Sequence, residues 1–179
     1  MNVGRTPRAL VVASLTFLSP CTKERPSPMS TISESTVALH IEQKGGFAPK
    51  AAGNEIGLLF VFKNTSAESI LINGRGIVAG RESAPFIRDI WLSIKNQKSG
   101  RTAEFGCLIN AMSLGAKDLR TLAPGETFQF ERDLHCFRME AGRSLVSAHV
   151  DVPLPAALQG GKKTMSLPVA SNEIEVEIR

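Results

Sequence analysis

The chain has no tyrosine, a single tryptophan (Trp91) and only three histidines in 179 residues. So few aromatic faces leave little on which unpaired bases could stack, which argues against single-strand nucleic-acid binding. His40, His135 and His149 stand apart from one another. None belongs to the HExxH pattern that sets two imidazoles and a glutamate on one helical face around zinc. No G-x-S-x-G nucleophile elbow occurs. Gly161-Lys162-Lys163-Thr164 faintly resembles a phosphate loop, but Ala156 stands where the first glycine belongs, so it reads as a basic loop. Charge of one sign is scarce as well. The net charge is +4, and setting Arg5 and Arg8 aside with the N-terminal segment leaves about +2, too small an excess for a phosphate-backbone footprint. Neither nucleic acid nor a cofactor is expected as a partner, and no residue is expected to be catalytic or to hold a metal.

What is present begins with an export pattern. Residues 1–8 carry two arginines and no acid, and residues 9–18 (ALVVASLTFL) are uncharged. Ten residues fall short of the roughly 20 that span a bilayer, and a basic start before a short apolar run matches a secretory signal. Leu18-Ser19-Pro20-Cys21 resembles a bacterial lipoprotein box, in which Cys21 is lipidated after cleavage just before it. Leu18, Ser19 and Cys21 fit that pattern, whereas Pro20 stands where Gly, Ala or Ser is usual. An ordinary cleavage site using Ser19 and Cys21 is the other reading. The expected organisation is a signal over residues 1–21, a polar, proline-bearing tether over 22–33, and one domain over 34–179. A membrane is expected as a partner only through a lipid on Cys21. The location is then exported: periplasmic, membrane-anchored or secreted.

With Cys21 assigned to the signal, Cys107 and Cys136 remain as an even pair, expected to form a disulfide in an oxidising compartment. Two buried thiols, or a metal site with His135, are the alternatives. Adjacent residues of a strand point to opposite faces, so His135 and Cys136 are not expected to converge on one ion.

The rest of the chain alternates. Residues 35–43, 55–63, 69–73, 86–95, 127–134, 144–152 and 173–178 place apolar side chains at every second position, the period of a half-buried strand. Residues 55–63 (EIGLLFVFK) are apolar on both faces, as a central strand would be. Residues 102–109 are read as returning antiparallel after the polar loop 96–101, and residues 74–80 as a glycine-punctuated bend. Ala123-Pro124-Gly125-Glu126 is a turn, with Gly125 taking the positive φ. Asn64-Thr65-Ser66 spells a glycosylation acceptor but reads as a turn. Three glutamates, Glu173, Glu175 and Glu177, face outward on the last strand and discourage edge-to-edge association. Seven to nine short strands without a sustained helical period predict an all-β, antiparallel, two-layer sandwich of immunoglobulin or fibronectin-III type.

Residues 59–64 (LFVFKN), 90–94 (IWLSI), 107–110 (CLIN), 122–126 (LAPGE), 134–137 (LHCF) and Ala141-Gly142 together resemble the immunoglobulin-like domains of exported bacterial proteins. They are similar to the domain that precedes the catalytic unit in some deuterolysin-type metallopeptidases. The resemblance covers about residues 35–179 and implies fold and export; the catalytic half is absent. No aromatic stands near Ser144 to form a tyrosine corner. The expected function is a non-catalytic module with a binding or structural role at the cell envelope. A small proteinase inhibitor, or an accessory domain of a secreted peptidase system, is the alternative. A protein or envelope partner would meet the loops 74–84, 110–120 and 153–164, or an open sheet edge by strand addition.

Overall fold

The structure is a computed structural model that describes residues 35–44, 56–85, 88–110 and 113–178. The signal, the lipidation at Cys21 and the tether lie outside the described residues, as does the loop 45–54. In chain order the strands are β1 (Val37–Lys44), β2 (Gly57–Asn64), β3 (Ile70–Asn73), β4 (Val78–Gly80), β5 (Ile90–Asn96), β6 (Glu104–Phe105), β7 (Leu119–Leu122), β8 (Thr127–Asp133), β9 (Phe137–Arg138), β10 (Gly142–Val150), β11 (Val169–Ala170) and β12 (Ile174–Ile178). A 3-10 turn covers Ala116–Asp118, and α1 is one turn over Ala156–Gln159. Among the described residues no helix is long and apolar enough to cross a membrane.

The protein is all-β. One sheet has the order β1-β2-β8; a larger one runs β11-β10-β5-β4, with β12 also on β10; β3-β7 and β6-β9 are separate pairs. Twelve strands among the described residues exceed the seven to nine expected, because four of them have only two or three residues, too few to display a period. The bend at 74–80 contains one of these, β4, and it pairs with β5 in parallel. The sheets are therefore not wholly antiparallel. The return after the 96–101 loop is brief: a single bridge joins Lys95 to Thr102, and the chain then leaves β5 so that β6 can pair with β9.

Alternation decides which side chains go inside. Val37, Leu39 and Ile41 of β1, Leu58, Phe60 and Phe62 of β2, Ile90, Leu92 and Ile94 of β5, and Val146, Ala148 and Val150 of β10 are all buried in one continuous core. The two larger sheets thus share a single interior, and removing this apolar surface from water is the main force holding them together. β2 is central, as its two apolar faces imply. Leu59 on its second face is buried and Val61 half-buried. Phe60 stacks on Phe130 of β8 with ring centroids 5.0 Å apart. Gly125, at φ 77°, makes the turn that starts β8.

Asn64 closes β2. It is fully buried. Its amide donates to the Glu68 and Leu122 carbonyls at 2.8 and 2.9 Å and accepts from the Ser66 N–H and hydroxyl at 2.9 and 2.7 Å. The nitrogen that a glycan would occupy is therefore committed inside the fold, and the turn reading of Asn64-Thr65-Ser66 holds. At the far side of the core, Asn172 lies between β11 and β12. Its side chain accepts from the Ile41 N–H at 2.8 Å and donates to the Ile41 carbonyl at 3.0 Å, so one amide imitates a strand neighbour for β1.

Cys107 and Cys136 are joined by a disulfide, with Cα atoms 5.1 Å apart and the two residues 29 positions apart in sequence. It fastens β6 to β9, alongside the Phe105–Phe137 ring contact at 5.2 Å. Closing a loop of that length contributes about 3–4 kcal/mol in the chain-entropy account.

Candidate functional site

β10 stops at Val150, and prolines 153 and 155 follow, which lack the N–H a ladder needs. The chain leaves the sheet, makes α1, and turns at Gly160 in the left-handed region (φ 54°). It returns onto β3 through Leu71 N–H to the Lys163 carbonyl at 2.8 Å and a bridge between Leu71 and Thr164. The loop is thereby clamped over the end of the core, and a pocket of about 600 Å³ remains beneath it. Its walls include Leu71 and Ile72 of β3, Ile90 of β5, Val150 of β10, and Leu154 and Met165 of the covering loop. All three loops singled out in the sequence supply lining residues: Arg75 from 74–84, Leu114 from 110–120, and Pro153 to Pro155 from 153–164.

The charged groups at the pocket are held by the protein itself. Asp89 accepts from the Arg75 guanidinium at 2.6 Å, from the Ile77 N–H at 2.7 Å, and from the Asn73 amide. Arg88 donates to the Ser83 carbonyl at 3.1 Å and with both terminal nitrogens to Asp151, at 3.1 and 3.3 Å. The strand expected over 86–95 begins at Ile90; Arg88 and Asp89 precede it, because these pairings turn two buried charges away from the ladder. A ligand entering here meets a wall that is mostly apolar. Size and lining match what small-molecule sites commonly have.

The outer face of the larger sheet carries a second cluster that sequence reading did not assemble. Trp91 and His149 are cross-strand partners, and their rings stack at 3.9 Å. Ser147 Oγ lies 3.0 Å from His149 Nε2, and Trp91 Nε1 donates to Asp151 at 3.1 Å. Positions 147, 149 and 151 share one face by strand period, which is the signal that would have grouped them. His149 lies on the outer face but is half-covered by Trp91 rather than open to solvent. Among the described residues Asp151 bonds Arg88 and Trp91, not the imidazole, so the three do not form a nucleophile relay.

Burial of the imidazole lowers its pKa below the usual 6.5, and Arg81 adds to that, against an opposing pull from Asp151. The unfolded chain therefore binds the proton more readily than the folded one. Stability from the neutral ring is complete above about pH 6.5 and is lost as pH falls through the depressed folded value. Trp91 is the only tryptophan, so its fluorescence reports the stacked ring directly. The emission is expected to titrate with a midpoint below 6.5, and the step to vanish in His149→Gln. A midpoint at or above 6.5 would contradict the stacked, half-buried placement.

His40 lies on the exposed face of β1 beside Glu42, 3.3 Å away, and Lys163 of the basic tip pairs with Glu68 at 3.1 Å. His135 and Cys136 differ from expectation. They sit in a turn closed by Phe137 N–H to the Leu134 carbonyl at 2.9 Å, not in a strand, so the opposite-faces argument does not apply to them. His135 Nε2 is 3.2 Å from Cys136 Sγ, and the donor atoms of Cys107, His135 and Cys136 all lie within 4.8 Å of one another.

No protein-family model matches the chain, and no curated protein matches it in sequence.

Proposed function

We propose that the protein is an exported, non-catalytic module with an immunoglobulin-like β-sandwich, secreted or lipid-anchored at Cys21, that binds an apolar ligand at the cell envelope. The observation that carries the binding role is the pocket of about 600 Å³ beneath the 153–164 loop, to which all three candidate loops contribute. Two sheets sharing one core support the sandwich, and the Cys107–Cys136 disulfide is compatible with an oxidising compartment. Arg75, Arg88 and Asp89 already have partners at the pocket, which favours an uncharged, hydrocarbon-rich ligand over an anion.

The test is titration with N-phenyl-1-naphthylamine, an apolar fluorophore that brightens out of water. One saturable site is expected on the wild-type protein. Leu154→Arg, in the pocket lining, is expected to weaken it about tenfold or more, since a loss of only 1.4 kcal/mol has that effect. Absence of saturable binding, or equal affinity in a folded Leu154→Arg variant, would overturn this reading.

A further inference from the structure

We infer that the disulfide conceals a metal site: once reduced, Cys107, Cys136 and His135 form a three-ligand surface site for zinc(II). Two thiolates and one imidazole are donors this borderline-soft ion prefers, and three protein ligands with a fourth position for water is a familiar zinc arrangement. The geometry is nearly in place. All three donor atoms lie within 4.8 Å of one another, and Nε2 is 3.2 Å from Cys136 Sγ. Tetrahedral bonds of about 2.3 Å to sulfur require the two sulfurs to stand about 3.8 Å apart. Reduction frees them to separate by that amount.

The imidazole is also set for the task. His135 Nδ1 is hydrogen-bonded to the Asp133 carboxylate, which fixes the ring and leaves the Nε2 lone pair facing the sulfurs. A carboxylate behind a ligating histidine is the outer-shell arrangement that typically holds such a ligand in its tautomer and orientation. His135 is exposed and the cysteines are half-buried, so both a reductant and an ion have access.

The chemistry balances with a dithiol as the reductant. One of its thiolates attacks a protein sulfur and breaks the S–S bond, forming a mixed disulfide. Its second thiolate then displaces that sulfur. Two electrons and two protons pass to the protein, and the donor leaves as its own disulfide. Zinc binding expels the two thiol protons to solvent. Oxidised and metal-bound forms exclude each other, which makes the site one that opens only on reduction.

Cobalt(II) gives the readout, because thiolate coordination produces near-ultraviolet charge-transfer bands and tetrahedral geometry produces visible ones. The full chain, reduced with a trialkylphosphine, is expected to develop both at one equivalent and to lose them when zinc is added. The oxidised chain is expected to develop neither. His135→Ala, whose disulfide is intact, should weaken cobalt binding after reduction at least about tenfold, and Asp133→Ala by about tenfold. Circular dichroism follows folding in parallel, and refolding of a reduced chain by zinc would support the site. Absent bands, bands that need no reduction, or equal affinity in His135→Ala would overturn it.

Discussion

Asp89→Ala is expected to lower stability by about 3–5 kcal/mol, the usual cost of removing one partner from a buried ion pair. The Asp89 side chain is only 4% exposed, and that of Arg75 13%. The carboxylate does more than balance one guanidinium. Its oxygens also take the Asn73 amide and the Ile77 N–H, so it ties the end of β3 and the approach to β4 onto the start of β5. Alanine would leave those donors facing a low-dielectric gap, where an unmet hydrogen bond costs about 1–3 kcal/mol. The check is the urea midpoint at unchanged slope. Replacing both partners, as in Arg75→Met with Asp89→Leu, should recover most of the loss, because well-packed apolar groups often substitute for a buried pair at little cost. A single variant within about 1 kcal/mol of wild type would mean that the pair is solvated.

The second large effect is expected at Phe60. It is fully buried on the central strand, with its ring stacked on Phe130 at 5.0 Å and nearly parallel. Phe60→Ala should cost about 3–5 kcal/mol, from lost transfer energy and from the cavity left where the two sheets meet. Phe130 is half-buried, so Phe130→Ala should cost distinctly less. That order is the diagnostic feature. If the two variants lost equal stability in the same urea series, the account of where the interior lies would fail.

How much of this could be read from the chain depends on what kind of interaction made it. β1, β8, β10 and β12 were legible because each repeats a period of two for five or more residues, long enough for one face to declare itself, and β2 because its run is apolar on both faces. β4, β6, β9 and β11 are too short to show any period, and they form where a neighbouring backbone offers a ladder. The parallel placement of β4 on β5 is likewise a tertiary outcome. In the sequence Asn64 looks like an ordinary turn residue, and Arg88 and Asp89 like the polar start of a strand. Only their partners, up to 63 positions away for Arg88 and Asp151, explain why they are buried. The segments 74–84, 110–120 and 153–164 were legible as connections, but the strand β4 within the first, the start of β7 within the second, and their meeting over one cavity were not. At His135 and Cys136 the chain turns rather than running as a strand, so alternation along the sequence does not reveal the proximity of the three donor atoms.

The amide of Asn172 bears on how copies of this chain would meet. β1 ends its sheet, and an unpaired outer strand is normally open to growth by a passing extended segment. Here both hydrogen-bonding groups of Ile41 are already engaged by one side chain from the opposite layer. Any peptide laid along that margin would first have to evict Asn172. The molecule thus carries a plug against stringing into fibres along that border, made from a single residue and independent of charge.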